Sequence, residues 1–193
     1  MPSIHVLHIV PSIDPVKGSG PSDALVRLSR AQAKAGVKVS VAAVDLPSEV
    51  EAIRASLSGL GIELHLVGPG GGRWNKGPNA KETIRRVMHQ GGVDIVHIHA
   101  MWQHLPHCAA LEARRAGVPY LFRPCGMLEP KAMEKSGVTK RLFLSLVARK
   151  DLRRSAALHA TANQEARNFR TVSYTHLRAH ETKANLVCRL LLE

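Results

Sequence analysis

DIVHIHAMW, residues 94–102, is an apolar run that carries two histidines, His97 and His99, out of its far end and stops at Ala100 before helix-compatible sequence. It reads as a buried parallel strand delivering side chains to a site, because ligands of open α/β sheets bind where the carboxyl ends of strands meet the following loops. Buried strands otherwise have little use for imidazoles. Residues two apart share a strand face, so His97 and His99 point the same way, with His99 nearest the exit.

The same grammar repeats on both sides. Upstream, residues 4–10 (IHVLHIV), 37–44 (VKVSVAAV) and 62–67 (IELHLV) read as strands; downstream, 118–123 (VPYLFR) and a brief 158–160 follow. Helices are expected between them. The first has Leu25, Leu28, Ala31 and Ala35 inward, Ser22 as its cap and Gly36 as its end. Others cover about 48–60 (Ile53 and Leu57 a turn apart), 81–90 (Ile84, Val87 and Met88 inward), 105–116, 139–154, and from Asn163 to about Arg170. Strands alternating with helices at this spacing predict βαβ units and a doubly wound, mostly parallel, Rossmann-like sheet.

With 193 residues, 45% of them hydrophobic, the chain suits one domain with a substantial core. No apolar run approaches membrane-spanning length, and MPSIHVLHIV lacks the basic region and cleavage site of a secretory signal, so a cytoplasmic location is expected. Cys108, Cys125 and Cys188 have neither metal nor redox spacing. The net charge of +12 favours anionic partners. At 4% aromatic residues there is no stacking platform, and nucleic acid is not the expected partner. The basic helix at 139–154 carries Lys140, Arg141, Arg149, Lys150, Arg153 and Arg154 around Leu142, Phe143, Leu146, Val147 and Leu152. Core packing accounts for that apolar stripe; a peripheral contact with the inner face of the membrane is the other reading. Residues 68–79 (GPGGGRWNKGPN) have no periodicity and read as a flexible surface loop, either an insertion or a lip over a substrate pocket with Trp74 as a contact.

Three signals fall at strand exits on one rim: the turn at residues 18–22, His97 with His99, and Arg123 with the turn at Gly126. Gly18 and Gly20 would let backbone N–H groups and a helix N-terminus approach a phosphate, although the third glycine of a dinucleotide fingerprint is absent and Pro21 interrupts the turn. A metal set drawn from His97, His99, His104 and His107 has poor spacing, and no metal is expected. His97 reads as a hydrogen-bonded core histidine and His99 as the ligand contact.

Taken together, PSIDPVKGSGPSDALVRLSRAQAKAGVKVSVAA, DIVHIHAMW, GVPYLFRPCGMLEP and LHATANQEA resemble the N-terminal domain of family 4 glycosyltransferases of the GT-B type, in order over residues 4–170. The resemblance implies one half of a two-domain enzyme that moves a sugar from a nucleotide-diphosphate sugar to an acceptor hydroxyl, with retention and without a metal or other cofactor. It implies that Gly18, Ser19 and Gly20 face the donor diphosphate and the acceptor, that His99 hydrogen-bonds the transferring sugar as the catalytic residue, and that Trp102 and Gly126 line the acceptor side. Where the family often places a basic residue before the glycine of the fifth-strand turn, this chain has Cys125, and Arg123 is the substitute.

From residue 171 the text changes. VSYTHLRAHET and LVCRLLLE resemble a translated sequencing-library adapter, which implies that 171–193 are a non-native tail and that the natural chain continues past Arg170. Domains are therefore expected as an acceptor-side domain over 1–170 and that tail, with the donor-binding domain absent and this portion inactive alone. Two other classes compete: a non-enzymatic basic module that binds an acidic membrane or nucleic acid, and a metal-dependent hydrolase.

Overall fold

The apolar runs become strands: β1 (His5–Ile9), β2 (Lys38–Ala43), β3 (Glu63–Leu66), β4 (Ile95–His99), β5 (Tyr120–Arg123) and β6 (Ala157–Leu158). The structure, a computed structural model, describes residues 4–14, 19–72, 74–129, 142–162, 165–167 and 169. Among them the strands form one sheet in the order β3-β2-β1-β4-β5-β6, every pairing parallel. This is the order of a Rossmann-like, doubly wound sheet, with the reversal of winding between β1 and β4. Those two strands are central and covered on both faces, hence their mostly apolar text, broken by His5 and His8 in β1 and by His97 and His99 in β4. Their start is pinned by Asp94, whose Oδ2 accepts the backbone N–H of His5 at 2.8 Å.

Helices α1 (Ser19–Lys34) and α2 (Glu51–Ser58) cover one face, where Leu25, Val26, Val50 and Leu57 pack on Val39, Val41 and Ala43. The other face is covered by α3 (Ala80–Gly91), α4 (His104–Ala116) and a fifth helical segment. That segment has π-helical turns at Leu144–Ala148 and regular α5 at Arg149–Arg153. Ile84, Leu105, Ala109, Phe143 and Leu152 meet Leu7, Ile9, Val96, Ile98 and Phe122 there. Buried Asp151 secures α5 to the sheet and to α4. Its carboxylate accepts from Arg114 Nη1 at 2.7 Å and lies 2.6 Å from His107 Nδ1, while its carbonyl accepts the Tyr120 hydroxyl at 2.6 Å. Gly36, Gly92 and Gly117 close α1, α3 and α4 in left-handed conformations (φ 84°, 60° and 69°) that glycine adopts without a Cβ penalty.

Four expectations change. Ser22 is inside α1 rather than its cap, because the helix already begins at Ser19; its hydroxyl donates to the Ser12 carbonyl at 2.5 Å. The buried side of α1 is Ser22, Leu25, Val26, Ser29 and Gln32, whereas Ala31 and Ala35 are exposed. This inward face is partly polar because it meets polar groups of the sheet. Residues 68–79 contain an antiparallel bridge, Gly71 with Lys76, instead of a patternless loop. The apolar stripe of the basic helix is only partly core: Phe143, Leu144, Ala148 and Leu152 are buried, but Leu142 and Leu146 are not. Residues 130–141 at the front of that helix, Asn163, Arg170 and the tail 171–193 lie outside the described residues.

Ile98 is fully buried between β1 and β5 on the crowded face. Ile98→Ala is expected to lower the unfolding free energy by about 2–5 kcal/mol with an unchanged urea dependence, since a cavity remains where the side chain was. Urea melts at pH 8 check this; a loss under about 1 kcal/mol would mean the site collapses onto the smaller residue.

Candidate functional site

At the carboxyl rim, where β1 and β4 diverge, the segments that leave five strands surround a cleft of about 390 Å³. Ser12 follows β1, Asp45 and Glu49 follow β2, Pro69 and Asn75 follow β3, Ala100 and Gln103 follow β4, and Met127 follows β5. Ser22 in the second turn of α1 adds the near wall. Asp45 organises the floor: its Oδ1 accepts the Ser12 hydroxyl at 2.6 Å and its Oδ2 accepts the Ile13 N–H at 2.8 Å. Burial pushes its carboxyl above the usual range, against those two bonds. Asn75 Nδ2 donates to Gln103 Oε1 at 3.2 Å, and Pro69, Gly70 and Asn75 of the 68–79 segment form a wall of the cleft, which Trp74 does not line. Gly68 is required there, since a Cβ would come within 2.5 Å of the Asp45 carbonyl oxygen.

Beneath the rim, on the α1 side of the sheet, lie the histidines. His8 pairs with His97 across β1 and β4, and His99 pairs with Arg123 across β4 and β5. The rings of His97 and His99 are 4.2 Å apart, and His159, just past β6, contacts His97 at 3.2 Å through Nδ1 and Nε2. A single proton arrangement satisfies the chain of bonds through His99. Arg123 is always a donor, so its Nη1–H, 3.4 Å from His99 Nδ1, makes that nitrogen the acceptor. His99 Nε2–H then donates to His8 Nδ1 at 3.1 Å, and His8 Nε2–H donates to Gln32 Oε1 at 2.6 Å. Both imidazoles in that chain are neutral. Burial draws His8 down to about 4, against the Gln32 bond; it holds His97 and His99 well below the ordinary 6.5, with neighbouring imidazoles and Arg123 adding to it. His159 is lowered likewise, by burial and then Arg123.

The rim residues expected from sequence are partly brought together. His99 and Arg123 are adjacent, as are His97 and His99. His99 is wholly buried with both ring nitrogens engaged, and it lies under the rim, while Ala100 beyond it reaches the cleft at φ 68°. Arg123 is half-buried, and its Nε–H is buried without a partner. Gly126 sits in a turn at φ 74°, next to Cys125 at φ 56°, and its N–H donates to Glu165 Oε1 at 2.7 Å. Trp102 packs edge-on against Phe143, 5.7 Å between ring centres, on the face away from the histidines. Gly18 lies outside the described residues; Ser19 and Gly20 open α1 as helix rather than loop, and Gly20 has open space around it.

Sequence reading passed over His8, Gln32, Ser12, Asp45 and Glu165. Asp45 was signalled by an acid directly after a strand's apolar run; His8 is tied to His99 only through long-range register. The expected metal candidates separate: His104 turns to Cys108 Sγ (3.3 Å) and His107 to Asp151, while His8 joins His97 and His99. Those three offer nitrogens within 4.8 Å of one another, the one such group among the described residues. The adjacent Arg123 guanidinium opposes a dication there, and all four ring nitrogens of His8 and His99 are already committed to the hydrogen-bond chain.

A doubly wound parallel sheet with a cleft at its switch point defines a Rossmann-like α/β domain. Residues 19–181 match the glycosyl transferase 4-like domain, and the chain belongs to that family. No curated protein matches the sequence. Among solved structures, similar folds include UDP-GlcNAc 2-epimerase from Neisseria meningitidis bound to UDP-GlcNAc (TM-score 0.57, 14% identity, 87% of this chain and 43% of that one). A glycosyltransferase from Rickettsia africae is similar too (0.55, 14%, 88% and 40%), as is S. aureus MnaA with UDP (0.56, 13%, 89% and 43%). At these identities the likeness is one of fold, and this chain spans less than half the length of each. Among the described residues no helix is long and apolar enough to cross a membrane.

The buried imidazoles make stability depend on pH. A histidine whose folded pKa lies below its unfolded 6.5 binds fewer protons folded than unfolded, so its contribution is full above 6.5 and is lost as pH falls below that. For His8 alone the loss between pH 6.5 and about 4 is on the order of 3 kcal/mol. Denaturation at pH 8, 6.5 and 5 should therefore show a plateau and then a steep fall. His8→Gln should reduce the slope below pH 6.5 by up to about 1.4 kcal/mol per pH unit; an unchanged slope would place the titration elsewhere.

Proposed function

We propose that this chain is the acceptor-side half of a retaining glycosyltransferase, which moves a sugar from a nucleotide-diphosphate sugar to an acceptor hydroxyl once a donor-binding domain is joined to it. The observation that carries this reading is the pairing of Arg123, a guanidinium in no ion pair among the described residues and with one buried N–H unpartnered, with the neutral imidazole of His99 at the exits of β5 and β4. A cation without a carboxylate at such a rim suits a phosphate, and the family membership gives that phosphate a source.

In the reaction, the bond between the anomeric carbon and the diphosphate oxygen breaks while the acceptor oxygen bonds to the same carbon on the same face. The acceptor proton passes to the departing phosphate. Arg123 would meet the charge that develops on that phosphate, the contribution expected of a preorganised donor. In turning to it, Arg123 releases His99 Nδ1 for a hydroxyl of the transferring sugar, which holds the sugar in its reacting orientation. The cleft around Asp45 would take the acceptor, with Ser12, Gln103 and Asn75 as hydroxyl partners, and Gly18, Ser19 and Gly20 would face the donor diphosphate. Trp102 and Gly126 would shape the far side through Phe143 and Glu165. In this reading Arg123 supplies the charge that meets the phosphate, and no metal takes part.

Because these chain-spanning comparisons cover under half of each solved structure, the test uses two forms. The 193-residue chain should release no nucleotide diphosphate from a panel of nucleotide sugars. A longer form carrying the natural downstream sequence should turn over, and chelator should leave that rate unchanged. In it, His99→Ala should lower kcat on the order of 100-fold and Arg123→Ala at least as much; because His99 is wholly buried, its loss also lowers the melting temperature, so kcat is compared at a temperature where circular dichroism shows each variant folded. Turnover by the short chain, or zinc-dependent activity, would refute the proposal.

A further inference from the structure

His159 has no part in the reading above, yet it brings a third basic side chain to the rim. The exits of β4, β5 and β6 lie side by side: His99 pairs with Arg123, and Leu158, the last residue of β6, pairs with Phe122. The His159 backbone N–H donates to the Phe122 carbonyl at 2.8 Å, which carries the register one residue further and sets His159 beside Arg123. His99, Arg123 and His159 therefore form a row across three adjacent strand ends. Its face is the one that carries His97, on whose ring His159 stacks with 5.2 Å between centres.

The two histidines of the row differ. His99 is wholly buried with both nitrogens engaged, whereas His159 is partly exposed. Its Nδ1 lies 3.2 Å from His97 Nε2, and its Nε2 forms no hydrogen bond among the described residues. Glu165 is the carboxylate whose charge acts on His159, but its oxygens accept from the Gly126 N–H, the Thr161 N–H and the Thr161 hydroxyl at 2.7, 2.8 and 2.7 Å. It braces the exits of β5 and β6 and, among the described residues, pairs with neither base. A guanidinium in no ion pair and an imidazole with one nitrogen unengaged thus stand together at neighbouring exits.

We propose that Arg123 and His159 form a clamp for a diphosphate, and that His159 takes a proton from solvent when the diphosphate arrives. This rests on the reading that Arg123 meets the donor phosphate, and it adds a second residue to that contact. In the empty chain, burial and then the Arg123 charge hold His159 below the ordinary 6.5, with Glu165 opposing them as the smaller effect. The imidazoles around it, His97, His99 and His8, are neutral as well. An anion beside the two exits reverses the local charge and favours the imidazolium. That imidazolium donates in two directions, Nε2–H to a phosphate oxygen and Nδ1–H to His97 Nε2, which no neutral tautomer of His159 can do. His97 and His99 are buried, so charging either one would cost its full desolvation. The clamp gains its second positive charge only when it is occupied.

The test follows the ring-nitrogen NMR signals of His159 in the 193-residue chain from pH 8 to pH 6, alone and with saturating inorganic pyrophosphate. Pyrophosphate is expected to raise the proton affinity of His159 at least about tenfold, moving its titration to higher pH, while His99 stays neutral. Arg123→Ala should abolish both the binding and that movement, and Arg123→Lys should keep them. His159→Gln should weaken pyrophosphate binding by at least about threefold at pH 6 and by less at pH 8, because the bound proton is lost with the ring. Pyrophosphate that binds through Arg123 while His159 stays neutral overturns the clamp and leaves the transferase reading to the turnover of the longer form. A folded chain that binds no pyrophosphate, or a His159 that takes up its proton with Arg123 removed, overturns the clamp as well.

Discussion

A hydrogen bond of 3.1 Å between His8 and His99 ties the first strand to the fourth at the point where the sheet changes its direction of winding. It is possible only while both rings are neutral in the chain that begins at Arg123 and ends at Gln32. Desolvation enforces that state, because an imidazolium at this depth has no anion to meet. The consequence spreads in two directions. Toward α1 it explains a helix whose inner face carries Gln32 among its apolar anchors; toward the rim it fixes His99 as an acceptor on the side that Arg123 occupies.

Much of this architecture could be read directly. Parallel strands covered on both sides call for mostly apolar text, and 4–10, 37–44 and 94–99 show it in plain reading, interrupted by the polar residues His5, His8, Lys38, Ser40, Asp94, His97 and His99. The glycines after α1, α3 and α4 mark ends that need a left-handed residue. What could not be read was set by contacts distant in sequence. Leu28, Ala31 and Ala35 have helical spacing on α1, but the sheet beneath presents His8, so the helix turns Gln32 and Ser29 inward and leaves the alanines outside. Leu142 and Leu146 lie within an apolar stripe that looks like core, yet the π-helical turns and the Asp151 network settle which side of that helix faces α4.

The site shows the same division. His99 and Arg123 were visible because each ends a strand, and the register sets them side by side. The cleft itself was not, since it is assembled from one to four residues of each of five loops, none of which has a motif. Asp45 is its organiser. By accepting from Ser12 and the Ile13 amide it holds the exit of β1 against the exit of β2, and the two segments become one floor. The cleft lies at the switch point of the sheet, and Arg123, in no ion pair among the described residues, stands beside His99 at the neighbouring strand ends.

The inner face of α1 has a further implication. Its apolar anchors, Leu25 and Val26, sit at mid-helix, and the turn nearest the cleft is fastened by the Ser22 to Ser12 bond, with the Ser29 hydroxyl buried and unpartnered below. The first amides of a helix have no acceptor within it, so the first turn of α1 is held beside the cleft by that one side-chain bond, whereas Leu25 and Val26 hold the middle of the helix to the sheet by burial.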